Sequence, residues 1–178
     1  MRIISGTARG IKLASVEGQG TRPTSDRVKE SMFTMVHFDL PESRVLDLFA
    51  GSGQLGLEAL SRGAAKATFV DKNPDCTAII KENAQKAKLF EQCVVCTAEV
   101  ATFIAGCKEQ FDVIFLDPPY GEVTHSALQG IFASDILAAD GIIVVESGES
   151  LNISHEGYVV RREKRYGSSY VTVIVQEN

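Results

Sequence analysis

Short apolar runs alternate with amphipathic segments along the chain from residue 44 to residue 146. The apolar runs predict strands at residues 44–49, 66–71, 92–98, 111–116 and 141–146. The segments between them repeat apolar residues at helical spacing and predict helices at residues 54–62, 73–88, 100–107 and 125–137. Strands that alternate with helices are typical of a parallel sheet with helices on both faces. The pattern therefore predicts an α/β fold.

The pattern changes near the C-terminus, where two strands follow each other without a helix. Residues 158–164 and 169–176 predict these strands, and Arg165 to Ser168 form the turn between them. A hairpin at this point means that the sheet should finish with an antiparallel strand. Because dinucleotide dehydrogenases usually continue with further strand–helix units, this ending disfavours that class of enzyme.

The first 40 residues have a pattern of their own. Residues 2–5 and 11–16 flank a glycine-rich turn and predict a hairpin or an extended arm. Thr24 or Ser25 is suited to cap the helix that follows, and Lys29 lies off the apolar stripe of that helix. The stripe consists of Val28, Met32, Met35 and Val36.

Length and composition are those of one globular domain that works away from membranes. A chain of 178 residues can bury a full core, and no apolar run approaches the roughly 18 residues of a membrane span. Cys93 and Cys96 stand three apart in a predicted buried strand, so their side chains should point to opposite faces, which disfavours a zinc or redox pair. We expect a cytoplasmic monomer in which residues 1–40 dock on a core domain, residues 41–178.

The net charge of −5 excludes a uniformly basic nucleic-acid binder, but the charge is unevenly distributed. Residues 1–30 carry six basic and three acidic side chains, and a second basic cluster occupies residues 161–165. If the fold brings the two together, one face could bind RNA phosphates, whereas solvated surface charge is the alternative. The candidate RNA-binding residues are Arg2, Arg9, Lys12, Arg22, Arg27, Arg161, Arg162, Lys164 and Arg165.

A glycine turn follows the first strand of the core. Gly51 and Gly53 allow a tight turn there and a close approach of backbone to a ligand. Gly51 to Gly56 spells G-x-G-x-x-G, a pattern that fits dinucleotide sites and several other ligand sites. The turn has no P-loop lysine, so a nucleoside triphosphate is disfavoured.

Four acidic residues stand at or near the carboxyl ends of predicted strands, which line one crevice in a parallel sheet. Asp71 could accept hydrogen bonds from ribose hydroxyls, Glu99 from an adenine amino group, and Asp47 could attract an ammonium group. The fourth is Asp117. This set suits a nucleoside with a cationic tail, although each carboxylate could instead cap the helix that follows it.

Asp117-Pro118-Pro119-Tyr120 is the most specific motif in the chain. Two prolines after an apolar strand force an extended, rigid turn. Since prolines lack backbone donors, the exposed polar groups are two acceptors, the Asp117 carboxylate and the Pro118 carbonyl. Such a pair suits an amino group, and Tyr120 offers a face on which a planar base can stack.

The glycine turn, read as Asp47-Leu-Phe-Ala-Gly-Ser-Gly53, together with Asp117–Tyr120 resembles the class I S-adenosylmethionine-dependent amino-methyltransferases. More narrowly, the chain resembles the RsmD-type methyltransferases, which methylate the 2-amino group of a guanine in small-subunit (16S) ribosomal RNA. The resemblance covers nearly the whole length, including residues 2–6, 21–30, 115–120 and 163–167.

That resemblance implies a Rossmann-like sheet of seven strands, mostly parallel, with the last strand antiparallel. It implies S-adenosylmethionine as the methyl donor, S-adenosylhomocysteine as the product and no metal, and as partner ribosomal RNA or an assembly intermediate of the small subunit. The implied catalytic residues are Asp117, Pro118, Pro119 and Tyr120. The implied cofactor-binding residues are Asp47, Phe49, Ala50, Gly51, Ser52, Gly53, Asp71, Lys72, Glu99 and Asp117. Asp71 and Glu99 depart from the family pattern, where Glu and Asp respectively are expected, so the reach of each carboxylate differs by one methylene.

Four other functions compete with this reading. A protein-glutamine methyltransferase would more often show Asn in place of Asp117. An adenine or cytosine amino-methyltransferase shares the D-P-P-Y motif but usually carries a separate target-recognition region, for which this chain has no room. An NAD-dependent oxidoreductase fits the glycine turn but explains neither D-P-P-Y nor the final hairpin. A non-catalytic RNA-binding module leaves the four carboxylates unexplained.

Overall fold

The computed structural model describes residues 1–16, 25–119 and 122–177, without the side chain of Glu122. The strands are β1 (Arg44–Leu48), β2 (Lys66–Asp71), β3 (Cys93–Thr97), β4 (Phe111–Leu116), β5 (Leu137–Ser147), β6 (Tyr158–Tyr166) and β7 (Ser169–Gln176). The α-helices are α1 (Asp26–Met35), α2 (Gln54–Ser61), α3 (Pro74–Lys86), α4 (Val100–Gly106) and α5 (Glu122–Phe132). Short 3₁₀ turns occupy His37–Asp39 and Phe90–Gln92.

The seven strands form one sheet in the order β3-β2-β1-β4-β5-β7-β6. Strands β1 to β5 pair in parallel, whereas β7 lies between β5 and β6 and is antiparallel to both. This arrangement confirms the predicted α/β fold with an antiparallel last strand. The carboxyl ends of β1, β2, β4 and β5 consequently meet at one edge of the sheet.

The pleat of the strands divides the apolar side chains between two cores. In β4, Val113 and Phe115 pack with helices α1, α2 and α3, whereas Ile114 and Leu116 pack with α4 and α5. Both sets are fully buried. The near-continuous apolar runs of the central strands follow from this double coverage, because both faces of a parallel sheet are covered by helices.

The bounds of α5 and β5 differ from the prediction. Helix α5 ends at Phe132 and β5 begins at Leu137, whereas residues 125–137 were predicted as helix. The register between β4 and β5 shifts between Phe111 and Val113, and Asp140 adopts a φ of 61°. This irregularity interrupts the alternation of apolar residues that is typical of a strand. The sequence pattern therefore predicted the first part of β5 as the end of a helix.

Strand β3 was predicted to be buried and is instead the edge of the sheet, partly exposed along its length. Cys93 packs against the core on the α1 side and Cys96 against the opposite core, so the prediction of opposite faces is confirmed. Burial raises the pKa of the Cys93 thiol to about 12.

The first 16 residues form a hairpin-like arm, with an antiparallel bridge between Arg2 and Lys12, that is tied to α2. The Glu58 carboxylate accepts hydrogen bonds from the backbone N–H groups of Ile4 at 2.8 Å and Ser5 at 3.0 Å. Ser61 Oγ accepts from the Ala8 N–H at 2.9 Å. The arm therefore packs on the helix that follows the glycine turn.

Helix α1 begins as predicted, with Ser25 Oγ accepting a hydrogen bond from the Val28 N–H at 3.3 Å. The prediction that Lys29 lies off the buried stripe is wrong, since its side chain is fully buried. Its ammonium donates to the carbonyl of Arg2 and lies 3.5 Å from Glu58 Oε2. No helix in the described ranges is long and apolar enough to cross a membrane.

Candidate active site

A cavity of about 890 Å³ opens at the carboxyl ends of β1, β2, β4 and β5. Its lining contains Asp117, Pro118 and Pro119 and nine of the ten residues predicted to contact the cofactor, with Gly53 as the exception. Tyr120 and Arg22 lie outside the described residues. The structure thus brings the four strand-end carboxylates and the proline turn to one cavity.

Two glycines give the glycine turn its backbone shape and its free space. Gly51 adopts a φ of 55° and Gly53 a φ of 78°, in the left-handed region that favours glycine. A Cβ at Gly51 would meet no atom within 4 Å, whereas one at Gly53 would meet Ile80 and Phe69 at 3.2–3.3 Å. Gly51 therefore leaves open space beside the turn, and Gly53 allows Ile80 of α3 and Phe69 of β2 to pack closely against the turn.

Asp47 lies beneath this turn, with 1% of its surface exposed. Its Oδ2 accepts a hydrogen bond from the Gly56 N–H at 2.9 Å, in the first turn of α2. Burial raises the pKa of Asp47 well above its usual value; the nearby Asp117 and Asp71 add to that rise, and the bond from Gly56 opposes it. A cationic group bound in the cavity would favour the ionised form of Asp47.

Asp71 organises the turn at the end of β2. Its Oδ2 accepts from the Gly51 N–H and its Oδ1 from the Asn73 N–H, both at 2.9 Å. Asp71 therefore has a structural role that the sequence did not predict, because its carboxylate holds the glycine turn as well as facing the cavity. Each carboxylate oxygen can accept more than one hydrogen bond, so ribose hydroxyls can still bind there.

Glu99 and Lys72 lie at the outer part of the same cavity. Both side chains are exposed, and Lys72 Nζ lies 3.7 Å from Glu99 Oε1. An exposed pair of this kind contributes little to folding stability. Glu99 caps α4 by position but makes no capping hydrogen bond with its side chain, so the helix-cap alternative is not what the structure shows for this residue.

Asp117 follows β4 directly, and Pro118 is buried while Pro119 is exposed. Asp117 and Asp47 line the same cavity, and the charge of Asp117 adds to the rise that burial causes in the pKa of Asp47. The proline turn continues β4, the strand that pairs with β1. The proline turn and the glycine turn therefore line the same cavity. An amino group that enters the cavity would meet acceptors on this side.

The lining fits the S-adenosylmethionine that the resemblance implies. Carboxylates at three neighbouring strand ends suit hydroxyl and ammonium donors, and the open space beside Gly51 admits a ligand. Gln54 is a further candidate: it lines the cavity, and its buried Oε1 has no hydrogen-bond partner among the described residues. Sequence analysis missed Gln54, although a polar residue directly after a glycine turn at a helix start was the available signal.

A loop after β5 forms another wall that sequence analysis missed. Leu151 in this loop lines the cavity, and its N–H donates to Glu163 Oε2 at 3.1 Å. Ser150 Oγ and Thr172 Oγ1 donate to the same carboxylate at 2.6 and 2.8 Å. Burial alone would raise the pKa of Glu163, but these three hydrogen bonds outweigh it and lower the pKa.

The predicted RNA-binding residues have unequal surroundings. Arg2 is paired with Asp26 at 3.2 Å and Arg161 with Asp39 at 3.0 Å. Arg27 and Arg165 instead line a second cavity, of about 260 Å³, beside the first. The remaining described candidates are exposed and line neither cavity: Arg9, Lys12, Arg162 and Lys164.

Comparison with known proteins gives consistent matches along the whole chain. A family described as "Conserved hypothetical protein 95" matches residues 1–175. The chain is 40% identical over 179 residues to "Putative rRNA methyltransferase YlbH" of Bacillus subtilis (strain 168), with 97% of both chains covered. It is 37% identical to "Ribosomal RNA small subunit methyltransferase D" of Haemophilus influenzae, covering 94% of this chain and 89% of that one.

Among solved structures, the chain is similar to one described as "Putative methyltransferase yhhF from Escherichia coli". The TM-score is 0.91 at 32% identity, and the match covers 99% of this chain and 98% of that one. The similarity therefore includes the N-terminal arm as well as the sheet.

Proposed function

We propose, from the premise that this chain belongs to the family described as conserved hypothetical protein 95, that it methylates the exocyclic 2-amino group of a guanine in 16S ribosomal RNA. The methyl donor is S-adenosylmethionine, whose sulfonium supplies an electrophilic methyl group. Relatives with 37–40% identity bear the names of ribosomal RNA methyltransferases, which supports the substrate class.

The observation that carries the proposal is the common cavity of the proline turn and the strand-end carboxylates. Asp117 and Pro118 line it together with Asp47, Asp71 and Glu99. An enzyme that transfers a methyl group must hold the nucleophilic nitrogen, the methyl carbon and the sulfur of the donor in line. Such positioning is a large part of catalysis. One cavity with acceptors for an amino group on one side and acceptors for a cationic nucleoside on the other meets that requirement.

The chain's own residues act on the nucleophile. The amino group of guanine is a poor nucleophile because its lone pair is delocalised into the ring. Two hydrogen bonds, to the Asp117 carboxylate and the Pro118 carbonyl, would hold the amino group so that its lone pair points at the methyl carbon. Tyr120, the last residue of the D-P-P-Y motif, would stack on the base, which must leave any helical stack to reach the cavity.

The N-terminal part and the strand β6 are proposed to meet the RNA. Residues 1–40 would act as an RNA-contacting extension of a methyltransferase domain, residues 41–178, and the enzyme would act as a monomer in the cytoplasm on ribosomal RNA or on an assembly intermediate. The exposed arginines and lysines of the arm and of β6 would bind phosphates, while the acidic remainder of the surface stays free of RNA.

Methylation of an adenine or cytosine amino group is the second candidate, because D-P-P-Y acceptors bind any planar amino group. The deciding experiment incubates the enzyme and labelled S-adenosylmethionine with naked 16S RNA, free small-subunit proteins and partly assembled subunits. Digestion to nucleosides and mass spectrometry then identify the product. N2-methylguanosine supports the proposal; N6-methyladenosine, N4-methylcytosine or a labelled protein would contradict it.

A further inference from the structure

Two arginines from distant parts of the chain line the small cavity beside the active-site cavity. Arg27 belongs to the first turn of α1, and Arg165 lies near the end of β6. The other described lining residues are Ser25, Val28, Tyr166 and Gly167, all of which also line the main cavity. The two cavities are therefore adjacent and share a wall.

The two cavities differ in charge. The main cavity is lined by one lysine, Lys72, and by six acidic residues, namely Asp47, Asp71, Glu99, Asp117, Glu146 and Glu149. The described lining of the small cavity contains two arginines and no acidic residue. An anion is therefore repelled from the main cavity and attracted to the small cavity beside it, whereas a neutral or cationic group can enter the main cavity.

Arg27 and Arg165 are also more available than the two candidate arginines that form ion pairs. Arg27 makes no ion pair with any residue in the described ranges, whereas Arg2 and Arg161 are each bound to an aspartate. Arg165 donates from Nε to the Gly167 carbonyl at 2.9 Å and lies over the Tyr170 ring at 5.6 Å. These contacts fix the guanidinium and leave its two Nη groups to bind a ligand.

We propose that Arg27 and Arg165 together hold one phosphate of the RNA backbone in the small cavity beside the active site. The inference rests on the proposed function and adds how the target nucleotide is oriented. With its phosphate held in the small cavity, the nucleotide presents its base to the acid-lined cavity, where the proline turn accepts the amino group. Guanidinium groups suit this role because they bind phosphate oxygens with paired hydrogen bonds.

The test compares Arg27→Gln, Arg165→Gln and the double variant with Lys81→Gln/Lys86→Gln. The control removes the same charge from exposed positions of α3 that line neither cavity. We expect the double arginine variant to raise the KM for RNA by about tenfold or more, the scale for losing charge-assisted hydrogen bonds. The KM for S-adenosylmethionine should stay the same, and the lysine control should match the wild type in both.

Two further measurements address the shared phosphate. The slope of log affinity for RNA against log salt concentration should fall by about 0.7–0.9 in the double variant, as expected for one lost phosphate contact. Because both side chains would bind the same group, the double variant should lose less than the product of the two single losses. Single losses that multiply would mean two independent phosphates and would overturn the shared site.

The outcomes separate this inference from the proposed function. If the wild type methylates RNA but the double arginine variant behaves like the lysine control, the phosphate site is wrong and the function stands. If the wild type methylates no RNA, the proposed function fails. The salt slope, measured by binding a single-stranded RNA without turnover, still decides whether Arg27 and Arg165 hold a phosphate.

Discussion

Lys29 of α1 and Glu58 of α2 form an ion pair with 3.5 Å between Nζ and Oε2, and both side chains are fully buried. Glu58 also accepts hydrogen bonds from Ile4, Ser5 and Arg62, so its carboxylate joins the N-terminal arm to the helix behind the glycine turn. Burial lowers the pKa of Lys29, although Glu58 opposes this effect. The pair is thus one of the connections between the arm and the active-site scaffold.

Replacing Lys29 with Met should destabilise the protein by about 3 kcal/mol, because it leaves a buried carboxylate without its ammonium partner. Urea denaturation measures this loss. Lys81→Met, at an exposed position of α3, is the matched control and should change stability by less than about 0.5 kcal/mol. Equal stabilities for the two variants would mean that Arg62 alone satisfies Glu58.

Asp71→Ala should weaken S-adenosylmethionine binding by roughly 1–3 kcal/mol, the cost of unpaired polar groups. The structure gives two reasons, since Asp71 lines the cavity and also accepts from the Gly51 N–H. Asp71→Asn keeps one carbonyl oxygen and should lose less. Titration calorimetry gives both affinities, and an Asp71→Ala protein that binds as tightly as the wild type would remove Asp71 from the site.

The raised pKa of Asp47 predicts how stability depends on pH. Its folded carboxyl binds a proton that the unfolded carboxyl, titrating near 3.8, has already released. The contribution of Asp47 to folding stability is therefore largest below the pKa of the unfolded state. This contribution is lost as the pH rises through the higher pKa of the folded state. Asp47→Asn has no such proton and should gain stability relative to the wild type as the pH rises across this window.

Denaturation curves of the two proteins between pH 4 and pH 8 test this prediction. S-adenosylmethionine, being cationic, should favour ionised Asp47, so its affinity for the wild type should increase with pH while that of Asp47→Asn changes less. A constant stability difference between the two proteins would show that Asp47 titrates in the folded state as it does in the unfolded chain.

Local patterns were sufficient for most of the fold. The bounds of β4 and β7 agree with the apolar runs, because alternate residues of these strands face two different cores. Irregular backbone was not predictable in the same way: the shift after Phe111 and the turn at Asp140 hide the start of β5. Edge position also escaped prediction, since β3 is as apolar as an inner strand.

The site shows the same division. The types of residue at the strand ends indicated which groups line the cavity, because the ends of parallel strands meet at one edge. Contacts between residues that are distant in sequence could not be predicted. Lys29 is buried where Glu58 lies opposite its ammonium group. Asp71 binds the Gly51 N–H because β2 lies beside β1. The orphaned Gln54 oxygen likewise appears only once the helix is packed.

Asp117→Ala should slow methyl transfer by about 10²–10³-fold, the scale for removing one preorganised hydrogen-bond partner of the reacting group. Folding and cofactor affinity should be retained, because we expect the ends of β1, β2 and β3 to hold most of the cofactor. The loss should appear in the chemical step, where the lone pair of the amino group is directed at the methyl carbon. Single-turnover transfer to ribosomal RNA with bound S-adenosylmethionine measures that step directly.

Tyr120 supplies the comparison for the same assay. Tyr120→Ala should mainly weaken capture of the base, whereas Tyr120→Phe should be far milder because the stacking face remains. The two variants should therefore have different kinetic effects. Asp117→Ala should slow the chemical step, and Tyr120→Ala should weaken RNA binding. If Asp117→Ala transferred methyl at nearly the wild-type rate, the role of the proline turn would be wrong, and with it the assignment of an amino group as the target.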